Sequence, residues 1–500
     1  MCGITGIWGQ TNPVLVKSMM DSIAHRGPDA EGLYASPNQS GNLGHRRLSI
    51  IDPDGGDQPI YGEVPTRAII ANGEIYNFSQ LRSRLKEQSD FHTSSDSEAI
   101  LKLYEERGMD AIEELDGMYA FAIADGEKLL VARDPIGIKP LYYGEIDGAW
   151  IFASELKAIS LHCQNVREFP PGSYYHSDKG FSTFYNVPNL YPDSNVDVET
   201  LIARVRQTVE ESVIKRLMSD VPLGAFLSGG LDSSIIAAVA KQHQEELHTF
   251  SVGIAGSRDL EAARLVSTHL GTIHHEYIIT PEEVTAKLPE IIYHLESFDQ
   301  DLVRSAIPCY FTSRMAAEYV KVILTGEGAD ELFAGYSYYK QIPDEAALHQ
   351  ELHRSVSSLH NINLQRVDRM TMAHAIEGRV PFLDLNMIEL AQQIPANLKL
   401  VGEPLVEKWI LRKAFEDMLP SKIVWRKKEQ FDEGSGTVDM LQEMLSQKMN
   451  QTETQNYQAK HPYMNLRSPE ECFYHKIFMD VFENSQVVSS NVARWSERPV

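Results

Sequence analysis

The stretch Leu223-Gly-Ala-Phe-Leu-Ser-Gly-Gly-Leu-Asp-Ser-Ser234 decides the fold of the second half of this chain. It begins as an apolar run of strand length, passes through two glycines, and leads into an apolar helical pattern from Ile235. Such a turn lets backbone N–H groups approach a phosphate, and the helix N-terminus adds positive potential. Asp232 fits this site if it binds a Mg²⁺ that bridges to the phosphates. No Lys-Ser/Thr pair follows, which excludes a Walker A loop; the alternative is an ordinary Gly-Gly turn before a helix.

A second segment has the same architecture. Val320-Lys-Val-Ile-Leu-Thr325 is predicted to be a strand, and the acidic turn at 326–331 follows it. Loops at the carboxyl ends of parallel strands line one crevice, so Asp330 is expected to meet Asp232 across a metal ion. The alternative is that Asp330 is simply an acidic residue in the first turn of a helix.

Together the two segments resemble the PP-loop of ATP pyrophosphatases, which split ATP into AMP and pyrophosphate and adenylate a carboxylate or carbonyl. Arg426, Lys427 and Lys428 stand together in this acidic chain, and one of them could neutralise charge on departing pyrophosphate. A solvated surface run is the alternative, and the sequence alone favours it.

The hydrophobic pattern divides the chain into two parts. Up to about residue 185, short candidate strands such as Arg67–Asn72 alternate with turns, and helices are predicted at about 77–88 and 96–107. This pattern is typical of an α+β domain with layered sheets, and a linker is predicted at 186–197. Beyond it, strands alternate with helices, which predicts a parallel sheet covered on both faces. The predicted strands of this sheet are 223–227, 248–254, 274–279 and 321–325.

Cys2 follows Met1 at the start of the sequence. If Met1 is removed, Cys2 carries both a thiol and a free α-amine, whose pKa of about 7.7–8.0 lies close to working pH. Such an amine can act as general base for its own side chain, as in N-terminal nucleophiles. Alone, Cys2 could equally be an ordinary second residue.

Four polar segments of the strand-rich part strengthen the interpretation of Cys2 as a nucleophile. They are His25–Asp29, Arg47–Asp52, Asn72–Asn77 and Ser95-Asp96. With Cys2, these segments resemble class II glutamine amidotransferase domains, which hydrolyse glutamine to glutamate and ammonia.

The amidotransferase resemblance assigns a role to each of these residues. It implies that Cys2 is the nucleophile and that the Asn72 side chain and the Gly73 N–H form the oxyanion hole, donors that attack on an amide requires. Arg47 would bind the glutamine α-carboxylate with its guanidinium fork, and Glu74 and Asp96 would hold the α-amine. The implied glutamine site is Arg47, Leu48, Ser49, Ile50, Ile51, Asn72, Gly73, Glu74 and Asp96. The alternatives are a tight turn for Asn72-Gly73 and a first-turn helix acid for Asp96.

The pairing of both motif sets resembles the glutamine-hydrolysing asparagine synthetases over nearly the whole chain. Further matches are Val303–Ser305, Glu377–Asp384 and Lys428–Phe431. The resemblance implies an Ntn-hydrolase-like αββα glutaminase domain at 1–190, followed by an α/β parallel-sheet PP-loop domain at 191–500, of the adenine nucleotide hydrolase-like type.

The same resemblance implies the roles in the second domain. Leu227, Val252 and Gly326 would contact adenosine, and Asp232 and Asp330 would hold Mg²⁺-pyrophosphate. Lys428 would stabilise the adenylation transition state, Glu327 would act near the aspartyl-AMP and the attacking ammonia, and Arg304 would serve the substrate or the phosphates. The implied ATP site is Leu227, Ser228, Gly229, Gly230, Asp232, Ser233, Val252, Thr325, Gly326 and Arg304.

The expected reaction is the amidation of aspartate through a β-aspartyl-AMP, with glutamine as nitrogen donor, ATP as a substrate and Mg²⁺ as cofactor. The products would be asparagine, glutamate, AMP and pyrophosphate. The family also implies a homodimer and an internal tunnel for ammonia. Two alternatives stay open: another acceptor carboxylate, because the stretch after Arg304 differs from the best-known forms, and a non-catalytic sensor or scaffold.

Composition limits the partners. The chain has 46 basic and 70 acidic residues and a net charge of −24, so neither nucleic acid nor an anionic membrane surface is an expected partner. Its four cysteines form no CxxC pair and fit a reducing, cytoplasmic compartment. Neither a signal peptide nor an 18-residue apolar stretch is evident. His274 and His275 are adjacent on a predicted strand and are interpreted as structural.

Overall fold

The computed structural model describes residues 2–85, 90–192, 197–428, 434–446 and 448–494. Four features of the sequence therefore lie wholly or partly outside the described residues. They are Met1, residues 86–88 of the helix predicted at about 77–88, residues 193–196 of the predicted linker, and residues 429–431 of the segment that begins at Lys428.

The strands of the first half form two antiparallel sheets of six strands each, in the orders β10-β8-β9-β1-β3-β2 and β12-β11-β7-β6-β5-β4. The strands are β1 Gly3–Trp8, β2 Ala30–Ala35, β3 Gly41–Arg47, β4 Ile60–Tyr61, β5 Arg67–Ile75, β6 Gly117–Asp125, β7 Lys128–Arg133, β8 Tyr142–Ile146, β9 Ala149–Ala153, β10 Arg167–Glu168, β11 Ser173–His176 and β12 Gly180–Thr183.

Side-chain alternation along the strands builds the layers. Ile70 of β5 packs between the two sheets with Ile4 of β1, whereas its neighbour Ile69 points to the opposite face, against Leu81 and Ile100 of the helices there. The helices are α1 Pro13–Ser22 and α4 Leu156–Ser160 on the first sheet, and α2 Phe78–Leu85 and α3 Asp96–Arg107 on the second. The expected αββα layering is confirmed.

The second half contains a five-stranded parallel sheet in the order β15-β14-β13-β16-β17. The strands are β13 Leu223–Phe226, β14 His248–Gly253, β15 Ile273–Ile278, β16 Val322–Leu324 and β17 Glu377–Arg379. From β13 the chain moves outward to β14 and β15, then returns to β16 on the other side of β13. The loops after β13 and β16 therefore part at a topological switch point, where ligands bind in open α/β sheets. The expected α/β fold is confirmed.

Helices cover this sheet and extend to the end of the described chain. They are α5 Val198–Lys215, α6 Leu231–His243, α7 Arg258–Leu270, α8 Pro281–Leu295, α9 Gln300–Ala316, α10 Ala329–Leu332, α11 Glu345–Ser357, α12 Asn363–Met372, α13 Leu385–Gln393, α14 Ala396–Lys399, α15 Trp409–Ala414, α16 Ser421–Val424, α17 Thr437–Ser446, α18 Gln451–Lys460, α19 Pro469–Val481 and α20 Gln486–Ser490. A small hairpin joins β18 Leu400–Val401 to β19 Val406–Glu407.

The two halves share a buried interface. Leu48 and Ile50 of the first half belong to the same apolar cluster as the core of the second half. Arg26 forms two hydrogen bonds of 2.7 and 3.1 Å with Asp368, and both side chains are buried. A buried ion pair of this kind is costly to break because the remaining charge has no water. All four cysteines are free and buried. Across the described residues, no helix combines the length and the apolar character that crossing a membrane requires.

Candidate active sites

Cys2 lies at the edge between the two sheets of the first half, immediately before β1. Its backbone N–H donates to Asn72 Oδ1 over 2.9 Å, which ties the start of β1 to β5 of the other sheet. Its Sγ lies 3.9 Å from the Leu48 carbonyl oxygen. Burial raises the pKa of the Cys2 thiol, so this sulfur needs a nearby proton acceptor before it can attack.

Asn72 and Gly73 are neighbours on β5, and Gly73 lines the same small cleft as Cys2. The Asn72 side chain is buried, and its Nδ2 has no hydrogen-bond partner among the described residues, which leaves one amide donor available for an oxyanion. Gly73 has φ +154°, and a Cβ here would lie 2.0 Å from the Met118 carbonyl oxygen. Only glycine fits this close approach of β5 to β6.

Two buried carboxylates stand beside the oxyanion donors. Asp96 accepts a 2.8 Å hydrogen bond from the Ile75 N–H, yet burial raises the pKa of its carboxyl to about 6. Burial, with Glu377 and Asp96 nearby, also raises the pKa of Glu74, which lies 3.5 Å from the Arg379 guanidinium of the second half. An ammonium placed between these carboxylates would compensate charges that are costly to bury unpaired.

The cleft at Cys2 is small in this structure, about 20 Å³, which is room for about one water molecule. Arg47 already donates to Asp57 Oδ1 over 2.7 Å and to the Asp52 carbonyl over 2.6 Å. An anion that binds Arg47 would therefore compete with these acceptors for its guanidinium.

The structure brings most of the expected glutamine residues together here. Arg47, Leu48, Ile50, Ile51, Gly73, Glu74 and Asp96 line the cleft with Cys2. Ser49 and Asn72 are not among these lining residues: the Ser49 N–H donates to Asp29 Oδ2 over 2.8 Å, and Asn72 Oδ1 accepts the hydrogen bond from the Cys2 N–H.

The second site lies where the loops after β13 and β16 part. Gly229 has φ +72°, which lets the first loop turn sharply into α6. Within that loop, Ser228 Oγ and Ser233 Oγ are 3.0 Å apart. A Cβ at Gly326 would lie 2.9 Å from Asp232 Cβ, so the two loops meet in close contact through this glycine.

A lysine joins the two aspartates. Lys408 Nζ lies 2.5 Å from Asp232 Oδ2 and 2.6 Å from Asp330 Oδ1. Lys428 Nζ lies 2.8 Å from the other oxygen of Asp330. Burial acts to raise the pKa of Asp330, but Lys408 and Lys428 hold it well below its ordinary value. The expected meeting of Asp232 and Asp330 is therefore present, with two ammonium groups beside it.

Glu327 completes this turn. Burial raises the pKa of its carboxyl, while the guanidinium of Arg366 donates a hydrogen bond to it and opposes that rise. Glu327 thus stands between Arg366 on α12 and the phosphate side of the site, where Lys428 and Asp330 influence its charge.

These residues border a cavity of about 320 Å³, a volume suited to a small-molecule ligand. Of the expected synthetase residues, the cavity is lined by Leu227, Ser228, Gly230, Asp232, Ser233, Thr325, Gly326, Glu327, Asp330 and Lys428. Gly229 and Val252 lie beside lining residues but are not among them. The structure does not bring Arg304 to the cavity: its Nε donates to Glu470 over 2.8 Å.

Sequence patterns did not point to three basic residues that line this cavity, Arg366, Lys408 and Arg412. Lys408 lies 176 positions from Asp232, in the short connection between β19 and α15, and no local motif marks it. Arg366 lies in the first turn of α12, shortly before the Glu377–Asp384 segment that the sequence analysis singled out. A search for single basic residues near that segment would have found Arg366.

Comparison with known proteins places each half of the chain in a known family. A glutamine amidotransferase domain family matches residues 1–201, and the asparagine synthase family matches residues 204–344 and 340–497. Asparagine synthetase B (glutamine-hydrolyzing) of Escherichia coli K12 is 40% identical over 508 residues, covering 96% of this chain and 91% of that protein. The chain belongs to the glutamine-hydrolysing asparagine synthetase family.

Plant members of the family are similar to nearly the same degree. Asparagine synthetase 3 of Arabidopsis thaliana is 40% identical over 516 residues, covering 97% of this chain and 88% of that protein. The Zea mays asparagine synthetase is 39% identical over 510 residues, covering 96% and 86%. Among solved structures, glutamine phosphoribosylpyrophosphate amidotransferase of B. subtilis, complexed with ADP and GMP, matches 51% of this chain and 67% of that one, at 22% identity and a TM-score of 0.33.

Proposed function

We propose that this chain makes asparagine from aspartate, ATP and glutamine, and releases glutamate, AMP and pyrophosphate. The observation that carries the proposal is the presence, on one chain, of a thiol beside an available amide donor and of a cation-lined cavity at a topological switch point. The first arrangement suits amide hydrolysis and the second suits adenylation of a carboxylate.

In the first half, Cys2 is the proposed nucleophile. Its Sγ attacks the glutamine side-chain carbonyl, and the oxyanion that forms accepts hydrogen bonds from Asn72 Nδ2 and the Gly73 N–H. Loss of Met1 would leave an α-amine on Cys2 to accept the thiol proton and to pass it to departing ammonia. Water then hydrolyses the thioester to glutamate. The unpartnered Asn72 amide supports the oxyanion role, and the raised pKa of the buried thiol is the reason that the thiol needs this base.

Substrate recognition in this half rests on charge. Arg47 is the proposed partner of the glutamine α-carboxylate, and Glu74 and Asp96 of its ammonium. The hydrogen bonds of Arg47 to residues 52–57 support a site that opens to admit glutamine and closes over it.

In the second half, the aspartate β-carboxylate attacks the α-phosphorus of ATP and displaces pyrophosphate. Ammonia then attacks the acyl carbon and displaces AMP. Lys428 is proposed to stabilise charge on the phosphates, and Glu327 to accept a proton from the attacking ammonia. The positions of Lys428 and Glu327 beside Asp330 support both assignments.

The proposed Mg²⁺ ligands are Asp232 and Asp330. Two carboxylates completed by substrate phosphates are a typical Mg²⁺ donor set. Asp232 Oδ1 is buried with no hydrogen-bond partner among the described residues, so it can take a cation. Bound Mg²⁺ would neutralise phosphate charge and help pyrophosphate leave. The homodimer, the ammonia passage and the cytoplasmic location are retained as parts of this proposal.

A product assay tests the proposed function. The protein is incubated with glutamine, aspartate, ATP and Mg²⁺, and all products are quantified. Asparagine, AMP and pyrophosphate are expected in equal amounts. ADP and phosphate in their place would contradict adenylation, and pyrophosphate release with a different carboxylate but not with aspartate would move the function to another acceptor.

A further inference from the structure

The cavity beside Asp232 is lined by basic side chains that come from two separate parts of the chain. Six basic side chains among the described residues line it: Arg366, Lys408, Arg412, Arg426, Lys427 and Lys428. Five of them come from the short stretch 408–428. Arg366 alone comes from α12.

Three of the clustered residues contact the two loops of the phosphate side. Lys408 and Lys428 pair with Asp330, and Arg426 donates to the Gly229 carbonyl oxygen over 3.3 Å, within the glycine-rich loop itself. Arg412 pairs with Glu407 over 2.6 Å. Phosphate oxygens bound in this loop would lie close to these cations.

Arg366 has different neighbours. Its guanidinium donates to Glu327, and its side chain is 8% exposed. α12 packs against α9, which contributes Asp301 and Ser305 to the cavity wall. Next to Arg366 on α12, Asn363 donates to Glu331 over 3.0 Å. Among the described residues of α9 and α12 that line the cavity, Arg366 supplies the one guanidinium.

The proposed acceptor needs such a cation. Aspartate is adenylated on one carboxylate and keeps the other, two carbon atoms away, as an anion. A buried carboxylate requires a charged partner, and a guanidinium matches its two oxygens with two parallel hydrogen bonds. Arg304, the basic residue that the sequence suggested, is bound to Glu470 and does not line the cavity.

We propose that Arg366 binds the α-carboxylate of the acceptor amino acid and so selects an amino dicarboxylate. This inference rests on the proposed function and extends it to one residue. The guanidinium of Arg366 passes from Glu327 to the bound acceptor, and Glu327 then loses the cation that opposes the rise in the pKa of its carboxyl. Glu327 becomes a better proton acceptor when the acceptor is in place.

The test compares two acceptors in the full-length protein with ATP, Mg²⁺ and ammonium chloride, and measures pyrophosphate release. Aspartate carries the α-carboxylate; 3-aminopropanoate has the same amine and the same reacting carboxylate but lacks it. The preference is the ratio of the two kcat/KM values. The variants are Arg366→Met and Arg366→Lys, with Arg354→Met as a matched control, since Arg354 forms a similar pair with Glu351 on α11 outside the cavity.

Wild-type protein is expected to prefer aspartate by at least about 100-fold, and Arg366→Met to lower that preference by about 10- to 100-fold, because one charged hydrogen-bonding partner is lost. Most of this change should be a fall in kcat/KM for aspartate, and the KM for ATP should change little. Arg366→Lys, which keeps the charge without the fork, should lie between them, and Arg354→Met should keep the wild-type preference.

An unchanged preference in Arg366→Met, with wild-type protein active on aspartate, would overturn the inference and leave the proposed function standing. Wild-type protein that does not use aspartate would instead contradict the proposed function. If Arg366→Met does not fold, Arg366→Lys decides the matter: a KM for aspartate within a factor of two of wild type would overturn the assignment.

Discussion

The two sites of this chain differ in volume and in how their charges are handled. The cleft at Cys2 measures about 20 Å³ and is lined by residues between 2 and 97. The cavity beside Asp232 measures about 320 Å³ and is lined by residues between 226 and 428. The first site encloses the Cys2 thiol in protein, and the second leaves space for a small-molecule ligand.

The two sites differ in what controls the charge of their ionisable groups. Burial raises the pKa values of Cys2, Glu74 and Asp96. The closed cleft therefore favours a ligand that carries an ammonium group and can accept protons. In the open cavity, Lys408 and Lys428 compensate the aspartates in advance. In the first site, the exclusion of water has the largest influence on the pKa values. In the second, the cations already beside the aspartates have the largest influence.

Removal of the nucleophile should separate the sites most sharply. In Cys2→Ala, glutamine-dependent asparagine formation is expected to fall by at least about 1,000-fold, because no other group forms the thioester. Synthesis from ammonium chloride should continue, since adenylation takes place in the other half. Both rates are measured as asparagine formed. Equal loss of both activities would contradict the separation of roles.

Substitution of the cavity aspartates should abolish both routes together. Asp232→Asn and Asp330→Asn each remove one charge at the proposed metal site, and asparagine formation is expected to fall by at least about 100-fold with either nitrogen source. Asp417→Asn, which alters a surface carboxylate 2.8 Å from Arg206, is the control. A loss confined to the glutamine route would refute the assignment of these aspartates to the phosphate side.

Loss of the oxyanion donor should slow only one of the two routes. Asn72→Ala is expected to slow glutamine hydrolysis by about 100- to 1,000-fold, the usual effect of removing one such donor. Ammonia-dependent synthesis should stay near the wild-type rate. Asn361→Ala, whose amide lies 3.5 Å from Glu168 outside both cavities, serves as the control. A glutaminase rate within a few-fold of wild type would exclude Asn72 from the oxyanion hole.

The smallest expected effect is a pH dependence of the closed cleft. The pKa of Asp96 is raised to about 6, so its carboxyl gains a proton as pH falls through 6, well above the pH at which an ordinary aspartate does. A protonated Asp96 no longer attracts the glutamine ammonium. The kcat/KM for glutamine should therefore fall by up to about tenfold per pH unit below 6. A profile from pH 4.5 to 8 checks this, and a first inflection near pH 4 would contradict it.

Local patterns predicted much of the architecture. Strand-length apolar runs at 223–227 and 248–254 became β13 and β14, and the helix expected at 96–107 became α3 with Ser95 as its cap. These features depend on neighbours within a few residues, which is why the sequence reveals them. The meeting of Asp232 and Asp330 was also predictable, because parallel strands end at one edge of a sheet.

The sequence alone was sufficient to predict the two domain folds, the candidate nucleophile and the aspartates of the phosphate side, because each depends on a contiguous motif. Only the tertiary structure decided that Lys408 bridges Asp232 and Asp330, that Arg366 faces Glu327, and that Arg304 turns away to Glu470. Those contacts join residues 39 to 176 positions apart. Their charges are placed by the packing of whole helices, and no local pattern of residues encodes that packing.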